Sequence, residues 1–124
     1  MSELYDVELE PEVVSWLDAL AKVDYAKVNA LVGRLAAEAE TLDEPYSKHL
    51  RGKVRELRLT LSRRQARITY WLASDRRVVL LTAFYKTRRR ETMQVDRAER
   101  VQIACESSHG PARQAYHREF KEEL

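Results

Sequence analysis

One cysteine, three glycines and three prolines in 124 residues leave several site chemistries without the residues they need. A lone thiol, Cys105, cannot close an internal disulfide, which points to a reducing cytoplasm. Three glycines do not supply a glycine-rich phosphate loop. His49, His109 and His117 are scattered and, with one cysteine, lack metal-ligand spacing, so neither a metal nor another cofactor is expected. Paired catalytic carboxylates are missing from the strand-like segments, and Ser62 and Ser74 have no histidine at motif distance. No apolar run reaches the ~18–20 residues that span a bilayer. The acidic stretch from Met1 to Asp6 carries no apolar signal core, so neither secretion nor a membrane is expected.

What the chain does have is charge, and the charge is segregated. Residues 1–47 hold three Lys/Arg against eleven Asp/Glu, whereas residues 48–90 hold fourteen against two. Residues 91–124 return to five against seven, and the net charge of +2 conceals this polarity. An acidic front and a basic middle within one domain-sized chain point to a polyanionic partner for the basic part.

The pattern predicts an α+β fold of order β-α-α-β-β-β-α. Tyr5 to Leu9 alternates apolar and acidic residues as a half-buried strand does. Pro11 opens a short amphipathic helix, and Asp24 is read as the N-cap of a longer one carrying Val28, Leu31, Val32, Leu35, Ala36, Ala39 and Leu42. Three strand-like runs follow, 54–61, 66–72 and 78–86, joined by hairpin-length links into an antiparallel meander packed on the two N-terminal helices. A further helix spans about 92–106. Residues 1–108 are expected to form the domain, and 109–124 a polar, helical tail after the Gly110-Pro111 break.

Strand alternation sorts the basic residues by face. Leu57, Leu59 and Leu61 must pack on the helices with Arg55 on their side, leaving Glu56 and Arg58 on the other face. Arg67, Thr69 and Trp71 are expected to share that open face, Trp71 as a stacking surface for an unpaired base. Tyr85 alternates with Leu81 and Ala83 into the core. Lys48, His49, Arg51 and Lys53 border the open face on one side, and Lys86, Arg88, Arg89 and Arg90 on another. Arginine forks match phosphate oxygens and stabilise a pentacoordinate phosphorane, and RNA carries its own 2′-OH nucleophile. For proton transfer the options are His49, or a lysine among cationic neighbours, Lys53 or Lys86. Glu56 reads as a structural partner of Arg58.

At this point the chain resembles a family. The run Lys48 to Arg58 (KHLRGKVRELR) is similar to a segment of the HigB-like, phage-derived branch of the RelE/ParE toxin superfamily. Ala66 to Tyr70, Leu80 to Thr92 and Asp96 to Arg100 resemble, in order and spacing, the segments that follow it there. The resemblance spans roughly residues 4–105 and implies a RelE-like fold. It also implies a ribosome-dependent mRNA endonuclease, the toxin of a type II toxin–antitoxin pair, neutralised by a cognate helix-turn-helix antitoxin. Carried over by position, Arg58, Arg67 and Lys86 fall on the family's basic strand positions, with His49 and Lys53 between the second helix and the sheet. Arg55 extends the implied RNA-binding set of Lys48, Arg51, Trp71 and Arg88–Arg90. Two departures stand out: Thr87 replaces a second lysine, and the tyrosine or histidine that some members use near the end of the sheet has no counterpart. ParE-type relatives offer a second reading, a non-enzymatic inhibitor of DNA gyrase. A third is a nucleic-acid-binding module without catalysis.

Overall fold

The computed structural model describes residues 4–87, 91–108 and 114–115. The elements run β1 (Asp6–Leu9), α1 (Pro11–Asp18), α2 (Lys22–Ala37), β2 (Ser47–Arg51), β3 (Val54–Leu61), β4 (Arg64–Ala73), β5 (Arg77–Tyr85), α3 (Glu91–Ser107) and β6 (Gln114–Ala115). They form one mixed sheet in the order β2-β3-β4-β5-β1-β6. The expected meander is β3-β4-β5, antiparallel throughout. β1 lies parallel to β5, so the connection from the first strand must pass through helices and hairpins before the chain returns beside it.

One face of the sheet carries the main core. Leu57, Leu61, Ile68, Tyr70 and Leu80 meet Val13 and Leu17 of α1 and Val28, Val32 and Leu35 of α2, nearly all fully buried. At ~1.5–3 kcal/mol for each buried aliphatic side chain, this face supplies most of the driving force for folding. The opposite face is smaller. Val54, Trp71, Ala73, Val79 and Leu81 pack beneath Ala98, with Val101 and Cys105 beside them on α3. β5 is therefore covered on both sides, which explains why its sequence is apolar without alternation.

Local details depart from the sequence expectations for identifiable reasons. α2 begins at Lys22 with no side-chain cap, and Asp24 sits inside its first turn, where its carboxylate accepts the Ser62 hydroxyl at 2.6 Å. The helix stops at Ala37, although Ala39 and Leu42 stay buried in the turns that follow. β2 escapes the sequence pattern because it is an edge strand whose one buried residue is Ser47. A bulge between Thr69 and Tyr70 shifts the register against β5. It sends Leu81 to the α3 side while Ala83 and Tyr85 stay with the main core. Tyr85 is thus partly buried against that core, but not on the side of Leu81. Beyond the end of β1, Glu12 of α1 accepts the Ala83 N–H at 3.2 Å, and Arg97 of α3 donates to its other oxygen. The expected tail helix lies outside the described residues, except that Gln114–Ala115 pairs with β1 as a strand.

Candidate nucleic-acid interface

The α3-side face divides into two ends. Trp71 and its neighbours lie under α3, while the other end is lined by rows of residues across β2 to β5. The register sets Arg58 opposite Arg67 and Arg67 opposite Phe84; the adjacent row is Lys48, Glu56, Thr69 and Thr82. Thr69 and Thr82 join through their hydroxyls at 2.6 Å, and the Thr82 N–H donates to Thr69 Oγ1 at 3.1 Å, fixing the bulge as a rigid floor.

Two arginines directly across a strand pair repel each other. Here one carboxylate oxygen relieves them: Glu56 Oε2 lies 3.6 Å from Arg58 Nε and 3.6 Å from Arg67 Nε. Arg67 is further fixed by its bonds to Gln65 Oε1 and the Ala66 carbonyl, both at 3.0 Å, and is only 6% exposed. The Arg58 side chain is 30% exposed, against 10% for Glu56. The triad carries a net positive charge, held partly out of water, with Arg58 as its accessible member. Such a group can bind a phosphate and stabilise charge that grows on it.

The structure brings together some of the expected site residues and separates others. Lys48 is exposed and lies across from Glu56 on the arginine face. Lys86 follows Phe84 at the end of β5, its N–H on the Gln65 carbonyl at 2.7 Å. Arg58, Arg67, Lys48 and Lys86 therefore border one open end of the sheet. His49 alternates onto the face of Ser47 and Arg55, and its Nε2 is 2.8 Å from the Gly52 carbonyl. Arg55 is also on the helix-packed side, bound to Ser47 Oγ at 3.1 Å and Tyr70 Oη at 3.3 Å, with Asp43 at 3.6 Å. Arg51 is claimed by α3 through Asp96 at 2.5 Å and Glu99 at 3.2 Å, which hold its guanidinium more firmly protonated than usual. Lys53 meets Glu106 at 2.5 Å and lies 5.8 Å from the Trp71 ring. Gly52 makes this β2–β3 turn with φ 56°, a backbone conformation that favours glycine.

Trp71 requires a correction. The alternation placed it on the correct face, but α3 covers that part of the face and leaves the ring 6% exposed, unable to stack on a base. Its Nε1 has no hydrogen-bond partner among the described residues. Arg88, Arg89 and Arg90 lie outside the described residues. Sequence reasoning missed Gln65 as the residue that fixes Arg67, and it assigned Glu56 to Arg58 alone. The signal for both was present: Gln65 and Arg67 share a face at the i, i+2 spacing of a strand, and Glu56 is a lone acid diagonal to Arg67.

Among the described residues no cluster of His, Cys, Asp and Glu could hold a metal ion, and no helix is long and apolar enough to cross a membrane. The family model of the phage-derived Gp49-like proteins (DUF891) matches residues 15–104. No curated protein matches the chain. Among solved structures, a double arginine-to-alanine mutant of the Escherichia coli toxin RelE in the free state is similar, with a TM-score of 0.56 and 14% identity. That match covers 79% of this chain and 97% of the other. A chain of the RelBE2 toxin–antitoxin complex from Mycobacterium tuberculosis superposes with a TM-score of 0.53 at 20% identity, covering 68% of this chain and all of that one (100%). The expected α+β architecture is thus the RelE fold, and the chain belongs to the phage-derived Gp49-like family.

Proposed function

We propose that this protein is the toxin of a type II toxin–antitoxin pair and a metal-independent endoribonuclease acting on mRNA at the ribosome. The observation that carries this reading is the arginine pair Arg58–Arg67 sharing one Glu56 oxygen at the open end of the sheet. RNA bound there needs three things for cleavage: a fixed phosphate, a proton acceptor for the 2′-OH and a proton donor for the departing 5′-oxygen. Arg58, the accessible arginine, holds the scissile phosphate, and the enclosed Arg67 behind it adds positive charge that stabilises the phosphorane. The 2′-oxygen bonds to phosphorus as the P–O5′ bond breaks, leaving a 2′,3′-cyclic phosphate and a 5′-hydroxyl. Lys86 and Lys48 border the arginines and are the groups assigned to the two proton transfers; His49 and Lys53, engaged with Gly52 and Glu106, are less well placed. The partner that silences the toxin is an acidic segment of a helix-turn-helix antitoxin covering this cationic end, with charge complementarity speeding the encounter.

The enclosure of Arg67 favours one other reading. A guanidinium satisfied by Glu56, Gln65 and Ala66 can serve the sheet alone, which would make the protein a nucleic-acid-binding module without catalysis. Inducible expression separates these readings. Toxin action through this face predicts growth arrest by the wild type that is lost in soluble, folded Arg58→Ala and Arg67→Ala variants. No arrest by soluble wild type supports the binding module. Arrest that survives both substitutions, with mRNA intact and plasmid DNA relaxed, would replace the nuclease with a gyrase inhibitor.

A further inference from the structure

The β3–β4 hairpin closes with a two-residue turn, Ser62-Arg63, between the paired residues Leu61 and Arg64. Both turn residues have positive φ, 47° and 69°. Such a turn favours Asn-Gly, and an arginine at its second position occupies backbone space suited to glycine. The turn is nevertheless held firmly. Ser62 Oγ donates to buried Asp24 at 2.6 Å, and Lys27 Nζ donates to the Thr60 carbonyl at 3.3 Å.

Beside it, Arg64 lies over Tyr85, its guanidinium carbon 3.7 Å from the ring centroid, and Tyr85 in turn packs on Trp16 at 5.5 Å. A ring contact of this kind uses a guanidinium face rather than its N–H groups, and a guanidinium fork matches phosphate oxygens. Arg63, Arg64, Gln65, Lys86 and Thr87 line an open cavity of about 410 Å³. Among the described residues, neither Arg63 nor Arg64 lies within ion-pair distance of a carboxylate. The β4–β5 turn is a useful contrast: it also carries an arginine at positive φ, but there the adjoining Arg77 is neutralised by Glu8 at 3.1 Å.

We infer that this hairpin-end cavity is a second RNA-phosphate site, in which Arg63 and Arg64 hold a phosphate flanking the one at Arg58 and Arg67. The inference rests on the RNA-cleaving reading. Gln65 joins the two sites: it lines the cavity, its side chain fixes Arg67, and its carbonyl accepts the Lys86 N–H. Arg64, over Tyr85, lies on the helix-packed side of β4, and Arg67, three residues on and roughly 10 Å away at ~3.3 Å per residue, lies on the α3 side. An RNA strand engages both by passing round the hairpin end, where Gln65 and Lys86 line the cavity. Arg63 and Arg64 are positioning residues for the substrate and take no part in proton transfer.

The test uses a 5′-fluorescein single-stranded RNA oligonucleotide, followed by anisotropy across a salt series, with Arg63→Gly and Arg64→Gln. Arg63→Gly removes the charge while giving the turn the residue its backbone favours, so its Tm should hold or rise. Weaker binding in that variant then cannot be ascribed to unfolding. The expected result is weaker binding in each variant, with the slope of log K against log salt reduced by about 0.7 for each phosphate no longer neutralised. On translating ribosomes, KM should rise with kcat retained. Unchanged affinity and slope in both variants, with wild-type binding intact, would overturn the second site and leave the RNA reading standing. Absence of RNA binding by the wild type would overturn that reading, and the site with it. A loss seen with ribosomal subunits but not with the oligonucleotide would assign these arginines to ribosomal RNA and overturn their placement on the substrate strand.

Discussion

Arg58 and Arg67 face each other across β3 and β4, and both rest on a single oxygen of Glu56 at 3.6 Å. Each guanidinium makes the other harder to keep, and the carboxylate makes both tolerable. The same arrangement holds positive charge on a largely buried floor, and an arriving phosphate would compete with Glu56 for it.

Replacing Glu56 with Gln should therefore separate stability from binding. Removing one partner of a largely buried ionic group typically costs about 3–5 kcal/mol; the partial exposure of Arg58 places this case nearer 2–3 kcal/mol. RNA affinity should rise at the same time, since two arginines lose their internal anion. Urea denaturation and oligonucleotide anisotropy measure the two effects. Lower stability with unchanged or weaker RNA binding would place the arginines outside the interface.

Thr69→Val tests the floor beneath them. The substitution leaves the buried Thr82 hydroxyl and N–H without the oxygen they use, at about 1–3 kcal/mol. A loss below about 0.5 kcal/mol in denaturant midpoint experiments would mean that the bulge does not depend on this pair.

Trp71 distinguishes the buried arrangement from the open face expected from the sequence. Trp71→Phe keeps an aromatic ring under α3 and removes an indole N–H that the sheet does not use, so RNA affinity should stay within about twofold. Stacking on a base would make Trp71→Ala cost about 1–3 kcal/mol of RNA binding. Burial instead predicts that Trp71→Ala lowers folding stability by about 3–5 kcal/mol, and thermal unfolding separates the two.

Cys105 reports on the seating of α3. Burial pushes its thiol above the usual range. As pH climbs, the unfolded thiol releases its proton before the folded one, so the folded state binds more protons and loses stability. The contribution is full below the ordinary thiol pKa and declines above it, and Cys105→Ala should flatten that alkaline decline. Alkylation by iodoacetamide at neutral pH should also be slow in the folded protein. Rapid labelling with no loss of structure would show α3 to be detached from the sheet.

The sequence reading succeeded where periodicity and burial agree. The apolar sides of β3 and β4, the two-sided burial of β5 and the outward direction of Glu56 and Arg58 all follow from strand alternation. It failed where packing between distant segments decides. α3 could be read as a helix, but nothing in its spacing said that it would cover Trp71 or take Arg51 and Lys53 with Asp96, Glu99 and Glu106. β2 was missed because an edge strand with one buried residue has no apolar pattern to read. The bulge at Thr69–Tyr70 reversed the side of Leu81, a one-residue change that periodicity cannot register. The density of arginine identified the region of the site, and only the register showed which of those arginines meet.

The most direct test of the central claim is primer extension on a defined mRNA with translating ribosomes, comparing purified wild type, free of antitoxin, with Arg58→Ala. Arg58 is the accessible member of the triad, and its loss leaves the Glu56–Arg67 pair intact, so the variant should fold. Discrete cleavage by the wild type, reduced at least ~10²-fold in the variant, is the result predicted for a group that stabilises transition-state charge. Uncut mRNA with folded wild-type protein, or equal cleavage by both proteins, would contradict it.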